Sequence, residues 1–239
     1  MIYICTHTDF DGYPKEKDFE ILASRELGAQ YDIPVRTVSN GLNALEYAYA
    51  EGFQIYDVWK NTNDEWVGIN HYRRYFDFKG EEHYVTTLPI PLSFNMHEQY
   101  ARCHNITDLF ECESIIDEMF PEYKCDYANI NVLYANNMFI LNRKDFNEYC
   151  RFVFGVLKRF GEDEGLYSQH DVNEYVRANK QFYNPKRKFD VSYQSRLFGF
   201  LMERIGTIFF LHYFKDKEVR HLPVVLTSSK IYGKGYGDK

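Results

Sequence analysis

An α/β domain with a mostly parallel sheet flanked by helices is the expectation for this chain of 239 residues, on three grounds. Short apolar runs of strand length alternate with longer segments whose apolar residues recur every three or four positions, the pattern of strand–helix units that build parallel sheets. The length suits one domain with a sizeable core. No internal repeat and no Pro/Gly/Ser-rich linker divides the chain.

The elements follow in order. Residues 2–6 (IYICT) form an apolar run bounded by a polar cluster and read as a central strand ending in a loop. Residues 35–38 are a weak second strand. Over 43–61, Leu45, Ala48, Tyr49, Gly52, Tyr56 and Trp59 fall at helical steps and predict one helix. Gly52 inside it costs about 1 kcal/mol relative to Ala, which points to a close approach. Residues 66–70 (WVGIN) predict a strand, and HYRRYF follows at once over 71–76. After an irregular stretch, 106–120 predicts a helix stopped by Pro121. Residues 129–141 predict a strand interrupted at Asn136 and Asn137. A helix over 144–160 is closed by Gly161. A short helix spans 171–180, the longest spans 194–214, and a last strand spans 222–226. Residues 228–239 hold three glycines and three lysines and read as a frayed tail, leaving 1–227 as the domain.

Composition narrows the function. With 28 Lys and Arg against 35 Asp and Glu, the net charge is −7. Phosphate-backbone binding needs a basic footprint, so no nucleic-acid partner is expected. No run approaches the roughly 20 apolar residues of a spanning helix. The N-terminal MIYICTHTDF lacks a signal peptide's basic and apolar regions. Five cysteines, odd in number and without a CxxC pair, fit neither a disulfide framework nor a structural zinc site. A cytoplasmic protein is expected. Tyr (21) and Phe (20) each outnumber Leu; aromatics at that density either fill a core or line a site for ring-shaped ligands.

Three segments could carry chemistry. HYRRYF places His71, Tyr72, Arg73 and Arg74 just past a strand, where open α/β sheets bind ligands. Two guanidiniums there suit a diphosphate, since each pairs bidentately with phosphate oxygens and keeps its charge. The same residues could instead form a solvated turn paired with Asp77, Glu81 or Glu82. On the long helix, Arg196, Gly199, Glu203 and Thr207 share one stripe, and the opposite side is apolar. That stripe is either a solvated face or a buried polar strip, in which case Glu203 needs Arg196 or Arg204 as partner. Asn136 and Asn137 could hydrogen-bond sugar hydroxyls or form a bulge. Asp9-Phe10-Asp11 matches the Asp-x-Asp metal pattern only superficially. His97, Cys103 and His104 lack a metal-ligand spacing. The basic aromatic segment KQFYNPKRK (180–188) suits a phosphate, an anionic membrane surface or plain solvent. No Gly-rich phosphate loop and no GxSxG elbow is present.

Taken together, IYICTH, AEGFQIYDVWKN, VGINHYRRYF, EQYARCHNITDL, NMFILNRKDFNEYC and RLFGFLMERI resemble a bacterial glycosyltransferase family. That family, long known only as a domain of unknown function, occurs in capsule, exopolysaccharide and O-antigen clusters and includes galactofuranosyltransferases. The resemblance spans nearly the whole chain. It departs at Thr8, where a Lys is usual, at Asp57, where an aromatic is usual, and in a short segment between HYRRYF and Tyr100. It implies a GT-A-like nucleotide-sugar-binding fold, with Arg73 and Arg74 in place of the metal that neutralises a departing nucleoside diphosphate. No cofactor is therefore expected, although Mn or Mg stays open. Glu203 is the first candidate for the carboxylate that takes the acceptor's proton, and Glu51 the second. Thr6 and His7 are expected at the nucleotide, Asn136 and Asn137 at the sugar, and Glu51, His71, Tyr72, His104, Arg196 and Arg204 complete the expected binding set. The implied partners are a nucleotide-diphosphate sugar and an oligosaccharide or lipid-linked acceptor, with peripheral contact at the inner face of the membrane. The alternative is a catalytically silent sugar-nucleotide-binding or scaffold subunit of a polysaccharide assembly complex.

Overall fold

The computed structural model describes residues 1–77 and 86–226. The expected tail (228–239) and the acidic residues Glu81 and Glu82 lie outside the described residues. The eight strands form one sheet. At its heart β1 (Ile2–Thr6) runs parallel to β2 (Phe19–Ala23) on one side and to β4 (Trp66–His71) on the other. Outside β2 lies β3 (Val35–Thr37), also parallel. Antiparallel strands extend the sheet past β4. Residues 66–69 pair with β7 (Val132–Asn142), which in turn pairs with β6 (Thr86–Pro91). At the end of β4 the chain turns back through β5 (Arg74–Phe76), joined at His71–Arg74, and β5 pairs with β8 (Val224–Leu226).

Every residue of β1 is buried, which is why it reads as an unbroken apolar run. Ile2 and Ile4 enter a small core with Phe19, Ile21, Met138 and Ile140, roofed by Phe10, Tyr13, Leu27 and Tyr31 from loops. Tyr3 and Cys5 enter the larger core on the other face, where the helices pack. Aromatics such as Phe53, Tyr149, Phe152, Phe198 and Phe209 fill that core, so most of the Tyr and Phe surplus is packing.

β2 escapes the sequence pattern because a charge interrupts its apolar residues. Glu20 pairs with Arg36 of β3 at 3.0 Å. Arg36 also pairs with Asp57, a buried carboxylate, so Asp57 anchors an edge strand.

The helix expected over 43–61 is broken. A 3-10 turn at Asn43–Leu45 leads into α1 (Glu46–Tyr49), and α2 (Glu51–Asn61) starts afresh after Ala50, whose φ is 49° and ψ −126°. The break lies beneath a helix from the far end of the chain. A Cβ on Gly199 would lie 3.0 Å from Ala50 Cβ and 3.2 Å from the Tyr49 carbonyl oxygen, and one on Gly52 would lie 2.8 Å from Met202 Sδ. Gly52 does mark a close approach, and the space left by the missing Cβ of Gly199 is filled by the α1–α2 junction.

Asn95 and Asn105 cap α3 (Met96–Ala101), which the sequence reading missed, and α4 (Ile106–Met119). Asn142 caps α5 (Arg143–Asp163), accepting the Asp145 N–H at 2.9 Å. At 21 residues α5 is the longest helix. It runs through Gly161, which packs on Phe198, and Gly165 (φ 68°) follows its end. Then come α6 (Gln169–Ala178), α7 (Val191–Gln194) and α8 (Leu197–Tyr213), the last with 17 residues rather than the greatest length. Among the described residues no helix is long and apolar enough to cross a membrane.

Candidate functional site

Strand order 3-2-1-4 makes the gap between β1 and β4 a switch point: the chain leaves β1 towards β2 and β3, then returns to β1's other side as β4. Open α/β sheets bind ligands beyond the carboxyl ends of strands at such a point. A cleft of about 280 Å³ lies there. β1 delivers Thr6 and His7, β2 delivers Ser24 and Arg25, and β4 delivers His71, Tyr72 and Arg73. Glu46 and Tyr47 come from α1, Ala50, Glu51 and Gln54 from the start of α2, and Arg196 from the cap of α8.

Three guanidiniums face two carboxylates across this cleft. Arg73 lies with its guanidinium 4.9 Å from the Tyr72 ring centre, and its buried Nε has no protein partner. Arg25 donates through Nε to the His7 carbonyl. His71 accepts the Arg73 N–H on Nδ1 at 3.1 Å, which leaves Nε2 to carry the hydrogen towards Glu51 Oε1, 3.3 Å away. Burial pushes the Glu51 carboxyl up, but the hydrogen bond and electrostatic attraction of the His71 ring, with the Arg196 charge, outweigh it and hold the group at about 2. His7 is lowered by burial and then by Arg25 and Arg196. Gln54 donates to the Thr6 carbonyl at 2.9 Å, and its buried Oε1 lacks a partner. Thr6 itself is engaged by Thr8, accepting its N–H at 3.1 Å.

The remaining predicted residues do not line the cleft. Arg74 sits on β5, one residue beyond Arg73, paired in the sheet with His71 and Leu226. Asn136 (φ 62°) and Asn137 (φ 50°) form a left-handed bulge where β7 slips against β6. The polar stripe of α8 docks on that bulge. Glu203 Oε1 accepts the Asn136 N–H at 2.6 Å, and Thr207 accepts the Tyr134 N–H at 2.9 Å. Glu203 Oε2 takes a hydrogen bond from Arg204 at 2.8 Å, and Arg204 also donates to Gln99 at 2.7 Å. Burial raises the Glu203 carboxyl. The Glu51 charge adds to this, while Arg204, the Asn136 N–H and Arg196 oppose it. The Glu203 side chain keeps 20% of its surface exposed. His104 is buried against Tyr100, Tyr193 and Phe200 and bonds Gln194 at 2.9 Å; burial, then the Arg204 charge, lowers it to about 3.

Asp9 of the Asp-x-Asp pattern accepts the N–H groups of Gly28 (3.2 Å) and Ala29 (3.0 Å) and the Tyr31 hydroxyl (3.1 Å), so it ties down a loop. Among the described residues no group of three or more His, Cys, Asp or Glu could hold a metal ion. Sequence reasoning missed Ser24, Arg25, Glu46, Tyr47 and Gln54. The signal for Ser24 and Arg25 was their position just after the apolar run FEILA, the same rule that singled out HYRRYF.

A family model described as a domain of unknown function, DUF4422, matches residues 1–178. Among solved structures, the apo form of a bifunctional glycosyltransferase, WbbM, is similar in fold, with a TM-score of 0.71 at 18% identity. The match covers 95% of this chain and 45% of that one, so the chain spans less than half of that enzyme. No curated protein matches.

Proposed function

The chain belongs to the DUF4422 family, and on that premise we propose that it is a glycosyltransferase. In this reading it moves a hexose, such as galactofuranose, from a nucleotide-diphosphate sugar to a growing capsular, exopolysaccharide or O-antigen acceptor. The observation that carries the reading is the convergence of Arg25, Arg73 and Arg196 on the cleft at the β1–β4 switch point. The cleft volume is near the lower end of ligand sites, roughly 300 Å³ and up, and suits the nucleotide portion of a donor.

The chemistry needs fixed positive charge. As the anomeric C–O bond breaks, its electron pair leaves with the diphosphate. Cations already in place stabilise that developing charge more than they stabilise the ground state. Arg73, supported by Arg74 on the adjoining strand, takes this part, with Arg25 and Arg196 completing the anion site. The acceptor hydroxyl oxygen bonds to the anomeric carbon, and its proton passes to Glu203. Glu203 suits that role because burial raises its carboxyl, one fifth of its surface is open, and the Asn136 N–H and Arg204 orient both oxygens. Glu51, held near 2, is too weak a base and instead positions His71 and, through it, the Arg73 backbone.

Thermal-shift screening of nucleotide sugars, with and without EDTA, tests the reading. A donor at 100 times its Kd adds about 2.7 kcal/mol, which raises Tm by roughly 5 °C or more in a chain of this size. The shift is expected to survive EDTA, because arginines supply the charge. Arg73→Ala is expected to lower turnover on the order of 100-fold, and Arg74→Ala, outside the cleft lining, much less. Turnover near wild type in Arg73→Ala, or a shift abolished by EDTA, overturns the arginine assignment.

A further inference from the structure

Away from the cleft, one surface combines unpaired cations with exposed aromatic rings. Between α6 and α7 the chain makes a turn in which Lys180, Phe182, Pro185, Lys186, Arg187 and Lys188 are all exposed. Tyr183 anchors the turn in the core and packs edge-on against Phe189. Asn184 holds its shape, accepting the Lys186 N–H at 3.0 Å and donating to the Arg102 carbonyl at 3.2 Å. That last bond brings in Arg102, whose guanidinium lies 3.4 Å from the ring centre of exposed Phe94.

The charges here are uncompensated. Lys180, Lys186, Arg187, Lys188 and Arg102 take part in no ion pair among the described residues, whereas cations elsewhere commonly do. Acidic neighbours are occupied: Glu174 pairs with Arg177, and Asp190 caps α7 by accepting the Tyr193 N–H at 3.3 Å. In a chain of net charge −7 this is a local excess of positive charge. Phe182 is half exposed within it.

We infer that the 180–188 turn, with Arg102 and Phe94 beside it, is a docking surface for an anionic lipid bilayer. Cations attract the negative headgroups, and an exposed phenyl ring beside a proline enters the headgroup–acyl boundary. A nucleic acid is the poorer fit, because the rest of the acidic chain would repel a long polyanion, while a bilayer meets only this face. The turn leads through α7 to Arg196, so docking there would hold the cleft mouth near the membrane surface. The inference goes beyond the proposed activity and does not require it.

Flotation of the full chain with vesicles is the test. Phosphatidylcholine vesicles are compared with equimolar phosphatidylcholine and phosphatidylglycerol. Binding is expected only to the anionic vesicles, weakening as salt rises. Each cation at the surface contributes roughly fivefold, so Lys186→Ser, Arg187→Ser and Lys188→Ser combined should weaken binding on the order of 100-fold. Phe182→Ser should weaken it severalfold and leave the salt dependence intact. A control, Lys158→Ser with Lys215→Ser, removes exposed charge elsewhere and should bind like wild type. All these side chains are exposed, and an unchanged Tm confirms the fold. Equal binding to both vesicle types, no binding to anionic vesicles, or wild-type binding by the triple variant overturns the inference. So does tighter binding to an RNA oligonucleotide than to the anionic vesicles. Vesicle binding without any nucleotide-sugar shift would keep this surface and sink the proposed activity.

Discussion

Replacing Glu203 with Gln separates a proton-accepting carboxylate from a packing one. Gln keeps an oxygen for the Asn136 N–H, now 2.6 Å from Oε1, but removes the charge facing Arg204 at 2.8 Å. Arg204 is nearly fully buried, with 3% of its side chain exposed. Breaking a buried pair costs about 3–5 kcal/mol. The cost here should be lower, about 2 kcal/mol, the size of one lost charge-assisted hydrogen bond. Glu203 keeps some solvent, and Arg204 retains the Phe200 carbonyl at 2.9 Å, Gln99 at 2.7 Å and the Tyr100 ring. In a chain of this length that is a fall in Tm of about 4–8 °C. Nucleotide-sugar binding should persist, because the cleft residues are untouched. Transfer to acceptor should fall by at least about 100-fold, the usual worth of a positioned general base. The assay is transfer at a temperature where the variant remains folded, alongside thermal shift with the donor. Transfer within a fewfold of wild type, with the expected Tm loss, would make Glu203 a clamp on the β7 bulge and nothing more.

Other consequences concern strain and pH. Ala50→Gly relieves a left-handed backbone that costs a non-glycine residue about 1–3 kcal/mol, against about 0.4–1 kcal/mol lost to a freer unfolded chain. Tm should rise by a few degrees, and a fall in Tm would contradict the strain. Glu51→Gln should flatten the acid limb of the stability curve. The folded carboxyl is held near 2 against 4.5 when unfolded, so its contribution is complete above pH 4.5 and lost as pH falls towards 2. Urea midpoints across that window check it, and an acid limb as steep as wild type's would contradict it. His104 lies near 3 in the fold and 6.5 outside it, so below pH 6.5 the unfolded chain takes a proton that the folded one refuses. Wild type should lose up to about 1.36 kcal/mol per pH unit relative to His104→Gln as pH falls from 6.5 towards 3. Asp108 runs the other way. Burial raises it to about 7, so its contribution fades as pH rises through that value. The difference between the two proteins cancels this term.

Local order was readable from residue spacing. The apolar run of β1 and the four-residue rhythm of α4 and α5 depend on neighbours within one turn or one strand. So does the placement of HYRRYF, because those residues adjoin β4 in the chain itself. Arg25 could be suspected only from its place just after β2, and Gln54 was invisible as a cleft residue. That both reach one cleft depends on β2 lying beside β1 and on α2 aiming its first turn at the strand ends, which no local spacing records. The break at Ala50 is of the same kind: residues 43–61 have helical rhythm throughout, and the kink lies where α8, some 150 residues away, presses Gly199 against it. Periodicity reports which face of an element is apolar. Which element that face meets, and which side chains converge beyond it, is settled by packing between distant segments, as where α8 leaves room for Ala50 only because residue 199 has no Cβ, and such packing outweighs a helical preference of about 1 kcal/mol.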